Sequence, residues 1–168
     1  MFILLYSIKG VIMYRLKQLI SLTPKKVRDR AKFIKVLVTR TIKDLDAEGK
    51  IFRKIQFKAS DKKGSGTPHL ITVRLYGKNE VLNSDCWIHC SCEYFTFNLE
   101  VALTTQGSSS VINSNGALPV EKNPEMKGHL CKHLIATIPY IRNAKFSNYK
   151  TKIIPTQEEI DEELTKLL

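Results

Sequence analysis

The sequence predicts an α+β fold that combines a long N-terminal helix, a small antiparallel β-sheet and a stapled hairpin-plus-helix module. Three observations support this prediction. Apolar residues recur at three- and four-residue steps after Pro24, two later runs alternate polar and apolar residues, and two short Cys/His pairs lie far apart in the second half of the chain. The chain has 168 residues, of which 43% are hydrophobic and 26% are charged. It is therefore long enough, and apolar enough, to bury one modest core.

The first 13 residues are apolar but are interrupted by Lys9 and Gly10. They lack the basic start and the small-residue cleavage site of a signal peptide, and they are too short for an uninterrupted membrane span. We therefore expect no membrane span, and we expect this segment to pack on a partner or a neighbouring subunit. Met13 is an alternative start to Met1.

A helix of about 24 residues is predicted to follow. Thr23 is the expected N-cap, Pro24 suits the first helical position, and Gly49 supplies the left-handed stop. One face of this helix is apolar and the other is basic. A basic face suits DNA or an acidic protein surface, but a solvated helix shows the same pattern, and no aromatic residues are interleaved to stack bases. The candidate binding residues are Lys25, Lys26, Arg28, Arg30, Lys32, Lys35, Arg40 and Lys43.

The positive charge is concentrated in the first third of the chain. The net charge is +11, and residues 1–63 contain 17 Lys/Arg against 5 Asp/Glu, whereas residues 64–168 contain 10 against 11. Such an asymmetry predicts contact with nucleic acid, an acidic protein face or anionic lipid.

Two alternating runs, residues 51–58 and 69–76, predict a β-hairpin. A further strand is predicted at 86–90, directly before the first Cys pair. The apolar run at 94–103 follows that pair. We expect its second half to be helical, with Gly107 ending the helix.

A small hairpin and two helices are predicted in the rest of the chain. An Asn-Gly turn predicts a small hairpin over residues 111–118. A helix is predicted over 130–143, with Pro139 kinking or ending it. Thr156 caps a final acidic helix. The predicted parts are residues 1–50, an apolar segment and basic helical arm; residues 51–143, a metal-binding β/α domain; and residues 144–168, a basic connector and acidic C-terminal helix.

The strongest pattern is a C-x-C pair followed, after residues 93–130, by a C-x-H pair. Three thiols and one imidazole are the number and type of ligand that a tetrahedral zinc takes, whereas Mg²⁺ and Ca²⁺ prefer oxygen. A disulfide within C-x-C is strained, and the absence of a convincing secretory segment indicates a reducing compartment. We therefore predict Zn²⁺ bound by Cys90, Cys92, Cys131 and His133. Its role would be structural, because four protein ligands leave no open position.

Three nearby residues leave alternatives open. His129 or Cys86 could replace one of the proposed ligands, while His89 is the poorer candidate because neighbours on a strand point to opposite faces. The simplest alternative is a set of buried, inert side chains that bind no metal. The pairing of C-x-C with C-x-H favours the metal.

At these residues the chain resembles the SWIM-type zinc finger, whose ligand pattern is C-x-C, a variable insert, then C-x-H. The resemblance implies a hairpin that carries the first pair and a helix whose start carries the second. Residues 86–90 and 131–138 fit those two halves. The insert at 93–130 is longer than the spacer usual in that family.

A narrower resemblance is to a group of tailed-bacteriophage proteins with a C-x-C-x-x-F/Y block, an Asn-Gly turn and an Asn-Pro…Gly…Cys-Lys-His block. In this chain the three blocks are residues 90–95, 114–116 and 123–133. The resemblance covers roughly residues 86–140. It implies a virion component encoded near the portal and head–tail genes.

No motif predicts an enzyme. The thiols sit among other metal-binding side chains rather than beside an activating base and oxyanion donors, and the zinc-deaminase signature is absent from the sequence. The resemblance implies a non-enzymatic structural or adaptor subunit of the virion, assembled in the bacterial host cytoplasm. Expected partners are portal, neck or capsid subunits, copies of itself in a ring, and DNA along the basic arm. The alternative is a nucleic-acid-binding SWIM-type zinc module that acts in the infected host cell.

Overall fold

The structure is a computed structural model that describes residues 12–63, 66–77, 80–144 and 157–166. It confirms an α+β fold with a four-stranded sheet. The helices are α1 (Leu16–Leu22), α2 (Lys25–Ala31), α3 (Glu93–Asn98), α4 (Glu100–Thr104), α5 (Lys132–Asn143) and α6 (Gln157–Lys166), and the strands are β1 (Ile34–Leu45), β2 (Ile51–Asp61), β3 (His69–Tyr76) and β4 (Asp85–Cys90). A short 3₁₀ turn, Val81–Asn83, precedes β4.

The sheet is antiparallel throughout, with its strands in the order β1-β2-β3-β4. Its inner face is apolar: Ile55 pairs with Val73, Val73 pairs with Ile88, and all three are buried. Helix α5 packs across β1, β2 and β3 on this face, and α2 and α6 pack against α5. Leu164 of α6 joins the same core. The predicted hairpin over 51–58 and 69–76 is confirmed, as is the strand that leads into Cys90.

The prediction of a long N-terminal helix is wrong. Helix α2 ends at Ala31, and β1 begins at Ile34. The apolar face of the predicted helix included Ile34, Leu37 or Val38, and Ile42. This spacing is also compatible with a strand, and the region is rich in β-branched residues, which lose side-chain freedom in a helix and pack well on a sheet. Pairing with β2 along its whole length decides the outcome. Residues predicted as a helical arm therefore form part of the sheet.

Thr23 also has a different role from the predicted N-cap. It follows the last residue of α1, where its hydroxyl donates to the Leu19 carbonyl (2.6 Å) and accepts from the Leu130 N–H (3.0 Å). The side chain is buried, and Pro24 takes the N-cap position of α2. Thr23 thus ties the N-terminal helices to the residue that precedes Cys131.

Two predictions for the second half of the chain, the hairpin over 111–118 and the effect of Pro139, are changed by the structure. No strand forms over 111–118, because the N–H groups of Asn113 and Ser114 donate to a buried carboxylate instead of to a partner strand. Pro139 does not end its helix, since α5 continues to Asn143.

The apolar segment 1–11 and the Thr156 cap lie outside the described residues. No helix in the described ranges is long and apolar enough to cross a membrane.

The link between Thr23 and Leu130 can be tested with Thr23→Val, which keeps the shape and removes the hydroxyl. We expect the free energy of unfolding to fall by about 1–3 kcal/mol, because a buried N–H loses its acceptor. Urea unfolding followed by circular dichroism measures the change. Thr41→Val, at an exposed position of β1, is the matched control and should change stability by less than about 0.5 kcal/mol. Equal effects of the two substitutions would contradict a bridging role for Thr23.

Candidate metal centre

The C-x-C and C-x-H pairs meet at one point in the fold. The ligand atoms of Cys90, Cys92, Cys131 and His133 all lie within 4.8 Å of one another, and the four side chains are buried. It is the one cluster of three or more potential metal ligands in the part of the chain that the structure describes. The four residues that the sequence singled out are therefore the four that the fold brings together.

Three elements position these side chains. Cys90 is the last residue of β4, with its side chain on the buried face of the sheet. Cys92 is the N-cap of α3, where its sulfur accepts a hydrogen bond from the Phe95 N–H (3.4 Å). Cys131 is the N-cap of α5, and His133 lies in the first turn of that helix. The helix starts favour thiolates, because their unsatisfied N–H groups and aligned dipoles attract negative charge.

The donor set fits a tetrahedral metal ion. Zinc–sulfur bonds of about 2.3 Å would separate the sulfurs by about 3.8 Å, which is compatible with ligand atoms that all lie within 4.8 Å of one another. The distance from Cys90 Sγ to His133 Nδ1 is 4.0 Å, so this ring nitrogen faces the cluster. Three sulfurs and one nitrogen suit zinc and other thiophilic metals and exclude an oxygen-preferring ion such as Mg²⁺ or Ca²⁺.

The thiols perturb one another strongly. Hydrogen bonds from the Cys131 and Cys90 thiols, outweighing the effect of burial, hold the pKa of Cys92 well below its usual range. Burial, together with the neighbouring thiols, raises the pKa of Cys131 far above its usual value. A hydrogen bond with Cys131 lowers the pKa of Cys90, but its bond to Cys92 and its burial prevail and raise it. A divalent metal would displace protons from these thiols, because it binds them as thiolates.

Two of the three alternative ligands point elsewhere. Cys86 donates its thiol to the Tyr14 carbonyl (3.3 Å), and burial raises its pKa. His129 has its Nδ1 3.0 Å from the Leu130 carbonyl, which identifies this nitrogen as the donor, and its Nε2 lies 3.5 Å from the Tyr94 hydroxyl. Both stay outside the four-residue cluster.

His89, the third alternative, instead contacts a buried acid that the sequence analysis missed. Its Nε2 lies 3.4 Å from the carboxylate of Glu100, whose side chain is fully buried in α4. The same carboxylate accepts hydrogen bonds from the N–H groups of Asn113 (3.1 Å) and Ser114 (2.7 Å). Burial opposes ionisation, but hydrogen bonds from Ser114, Asn113 and Ile112 prevail and hold the pKa of Glu100 below its usual value. The available signal was a lone carboxylate within the apolar run 94–103.

The eight candidate basic residues do not form one continuous basic surface. The first five lie on α2 or directly after it, and the last three lie on β1. On β1, Lys35 and Arg40 face away from the core, whereas Lys43 pairs with Arg53 at positions of the opposite face. The break follows from the end of α2 at Ala31.

A cavity of about 410 Å³ lies beside the cluster, with Cys92 and His133 in its wall. Its other lining groups include Arg30, Lys132 and Tyr94. Lys132 is paired with Asp61 across 3.2 Å. The ring of His69 lies 4.4 Å from that of His133, so it supports the imidazole from the cavity side.

In comparisons with known proteins, the chain matches no protein-family model, no curated protein and no solved structure.

We expect the cluster to bind about one metal ion per chain. Removal of a ligand should release the ion and destabilise the fold. Cys92→Ser and His133→Ala should each lower the bound metal at least tenfold and lower thermal stability, because binding free energy is folding free energy at such sites. Inductively coupled plasma mass spectrometry identifies and counts the metal. Cys86→Ser is the matched control, since it removes a buried thiol outside the cluster and should keep the metal. A well-folded wild type without metal would contradict the assignment.

Glu100 predicts a pH dependence of stability. Its folded pKa lies below the unfolded value of about 4.3, so its contribution is present above that pH and is lost as the pH falls through the folded pKa. Glu100→Gln should lower the free energy of unfolding at pH 7 by about 1–3 kcal/mol and flatten the acid side of the profile. Urea unfolding between pH 3 and 7 measures both effects. Glu121→Gln, at an exposed carboxylate, should leave the profile unchanged.

Proposed function

We propose that this protein is a non-enzymatic structural or adaptor subunit of a bacteriophage particle, built around a structural zinc ion. The observation that carries the proposal is the buried cluster of four converging donors. Four protein ligands complete a tetrahedral ion, so no coordination position faces the neighbouring cavity for a substrate or a reactive water. The residues of the cluster would hold the ion, and the ion would supply folding free energy rather than chemistry.

The insert between the two ligand pairs is the part that such an ion would stabilise most. Residues 105–130 contain no helix or strand, and hydrogen bonds to Glu100 and from the Asn123 side chain fix them in the middle. One ion held by ligands at both ends of this segment would close the loop, and its binding free energy would offset the entropy that the loop loses on folding. A zinc ion would therefore make the irregular surface of the insert rigid.

The insert also exposes apolar side chains, which supports a role in assembly. Val111, Ile112, Leu118 and Val120 are each 45% exposed or more. Exposed apolar groups gathered on one segment are typical of surfaces that become buried against another protein. Portal, neck or capsid subunits, or further copies of this chain in a ring, would be the partners. The placement in a virion rests on the resemblance of residues 86–140 to tailed-phage proteins.

Mass spectrometry of purified, nuclease-treated particles from the encoding phage tests this proposal. We expect the chain at a fixed copy number per particle. Leu118→Ser combined with Val120→Ser should lower its incorporation at least fivefold without loss of metal, because the contacts of an assembled interface are weakened. Leu45→Ser with Ile51→Ser is the matched control, since both pairs are exposed and apolar. A chain abundant in infected cells but absent from particles would contradict the virion role.

A nucleic-acid-binding zinc module that acts in the infected cell is the second candidate. It is favoured by the basic surface, on which several lysines and arginines have no acidic partner among the described residues. Absence from particles, together with salt-sensitive binding to nucleic acid, would support this function instead.

A further inference from the structure

The side of the sheet that faces away from α5 carries five cations, and we call this side the outer sheet face. Strand pairing assigns them to it, because residues directly opposite each other on neighbouring strands share a face. Lys54 of β2 pairs with Arg74 of β3, and Lys58 lies on the same side four residues further along β2. Lys35 and Arg40 of β1 pair with Ser60 and Gln56, which alternate with the buried residues of β2.

An irregularity in β1 keeps its two cations on one side. The register shifts between Val38 and Arg40, so one extra residue is inserted there. Val38 pairs with the buried Phe57, and Arg40 pairs with the next residue of β2, Gln56. Without the extra residue, side-chain alternation would place Arg40 on the core side together with Val38 and Val36.

Among the residues that the structure describes, no acid neutralises these cations. None of the five forms an ion pair with a residue that the structure describes. The acids of this face lie at its margins: Asp44 and Asp85 are at one end on opposite edge strands, and the buried Glu100 contacts His89 of β4. The rest of the outer sheet face is therefore a patch of like charge, which costs stability unless an anion covers it.

Aromatic and apolar groups lie among the cations. The guanidinium carbon of Arg74 is 4.4 Å from the ring centre of Trp87 and 5.2 Å from that of Phe52, so both rings hold it in place. Leu37 and Leu70 pair with Lys58 from either side and are about half exposed. A fixed arginine with nearby apolar groups offers contacts to phosphates, sugars and bases together.

We propose that the outer sheet face binds the sugar–phosphate backbone of nucleic acid. The inference rests on the second candidate function and assigns it to the sheet rather than to α2. The cations extend about 13 Å along β2 and about 10 Å across three strands, which matches a polymer with regularly repeated negative charge. Helix α2 packs against α5 on the inner side of the sheet, so its basic residues belong to a different surface.

Fluorescence anisotropy with labelled 20-nucleotide single strands and the matching duplex tests the assignment. Lys54→Gln combined with Lys58→Gln should weaken binding at least tenfold at about 50 mM salt and reduce the salt slope by about 1–2, because two phosphate contacts are lost. Lys25→Gln with Lys26→Gln removes the same charge from α2 and should leave affinity within about twofold. Circular dichroism and metal content verify that both variants are folded.

The outcomes separate the inference from the function on which it rests. A selective loss in the sheet variant supports the outer sheet face. An equal loss in both variants, or a loss in the α2 variant alone, overturns the assignment while nucleic-acid binding stands. A folded, metal-loaded wild type that binds neither oligonucleotide at low salt overturns both and directs the search to an acidic protein partner.

Discussion

Convergence of four soft donors at one buried point is the constraint on which the second half of this protein depends. It requires the end of β4, the start of α3 and the start of α5 to meet. Three buried sulfurs without a metal would leave perturbed thiols in the core, at a cost in free energy. With an ion, the same side chains join a strand and two helices more firmly than the short helix α3 could through its own apolar contacts.

The buried carboxylate of Glu100 is a second polar group that orders the same region. The buried carboxylate of Glu100 collects N–H groups from a loop that has no strand to pair with. It therefore replaces the ladder that a hairpin would have supplied, and it lets residues 105–130 be ordered without regular structure. Thr23 does the same at the other end of the insert by accepting the Leu130 N–H. The position of Cys131 thus depends on a hydrogen bond that the preceding residue donates to Thr23, more than a hundred residues away in the sequence.

The sheet separates two kinds of surface. Its inner face is a continuous apolar core under α5, whereas its outer face collects cations from β1, β2 and β3. On β1 the extra residue near Thr39 places Arg40 on the outer face, whereas the cations of β2 and β3 lie there by regular alternation. The charge asymmetry of the chain therefore becomes a spatial asymmetry, in which α2 and the outer sheet face carry it on different sides.

Local chemistry alone indicated the two pairs of candidate ligands, the central hairpin and the strand before Cys90. Short spacing fixes which donors are neighbours, and the apolar residues at 71, 73 and 75 recur with the two-residue period of a strand. Tertiary structure decided three matters. Residues 34–45 satisfy both helix and strand periodicity, and pairing with β2 selects the strand; Cys86 and His129 are plausible ligands until hydrogen bonds turn them away. The division of the basic residues between α2 and β1 likewise follows from long-range pairing, which no window of sequence contains.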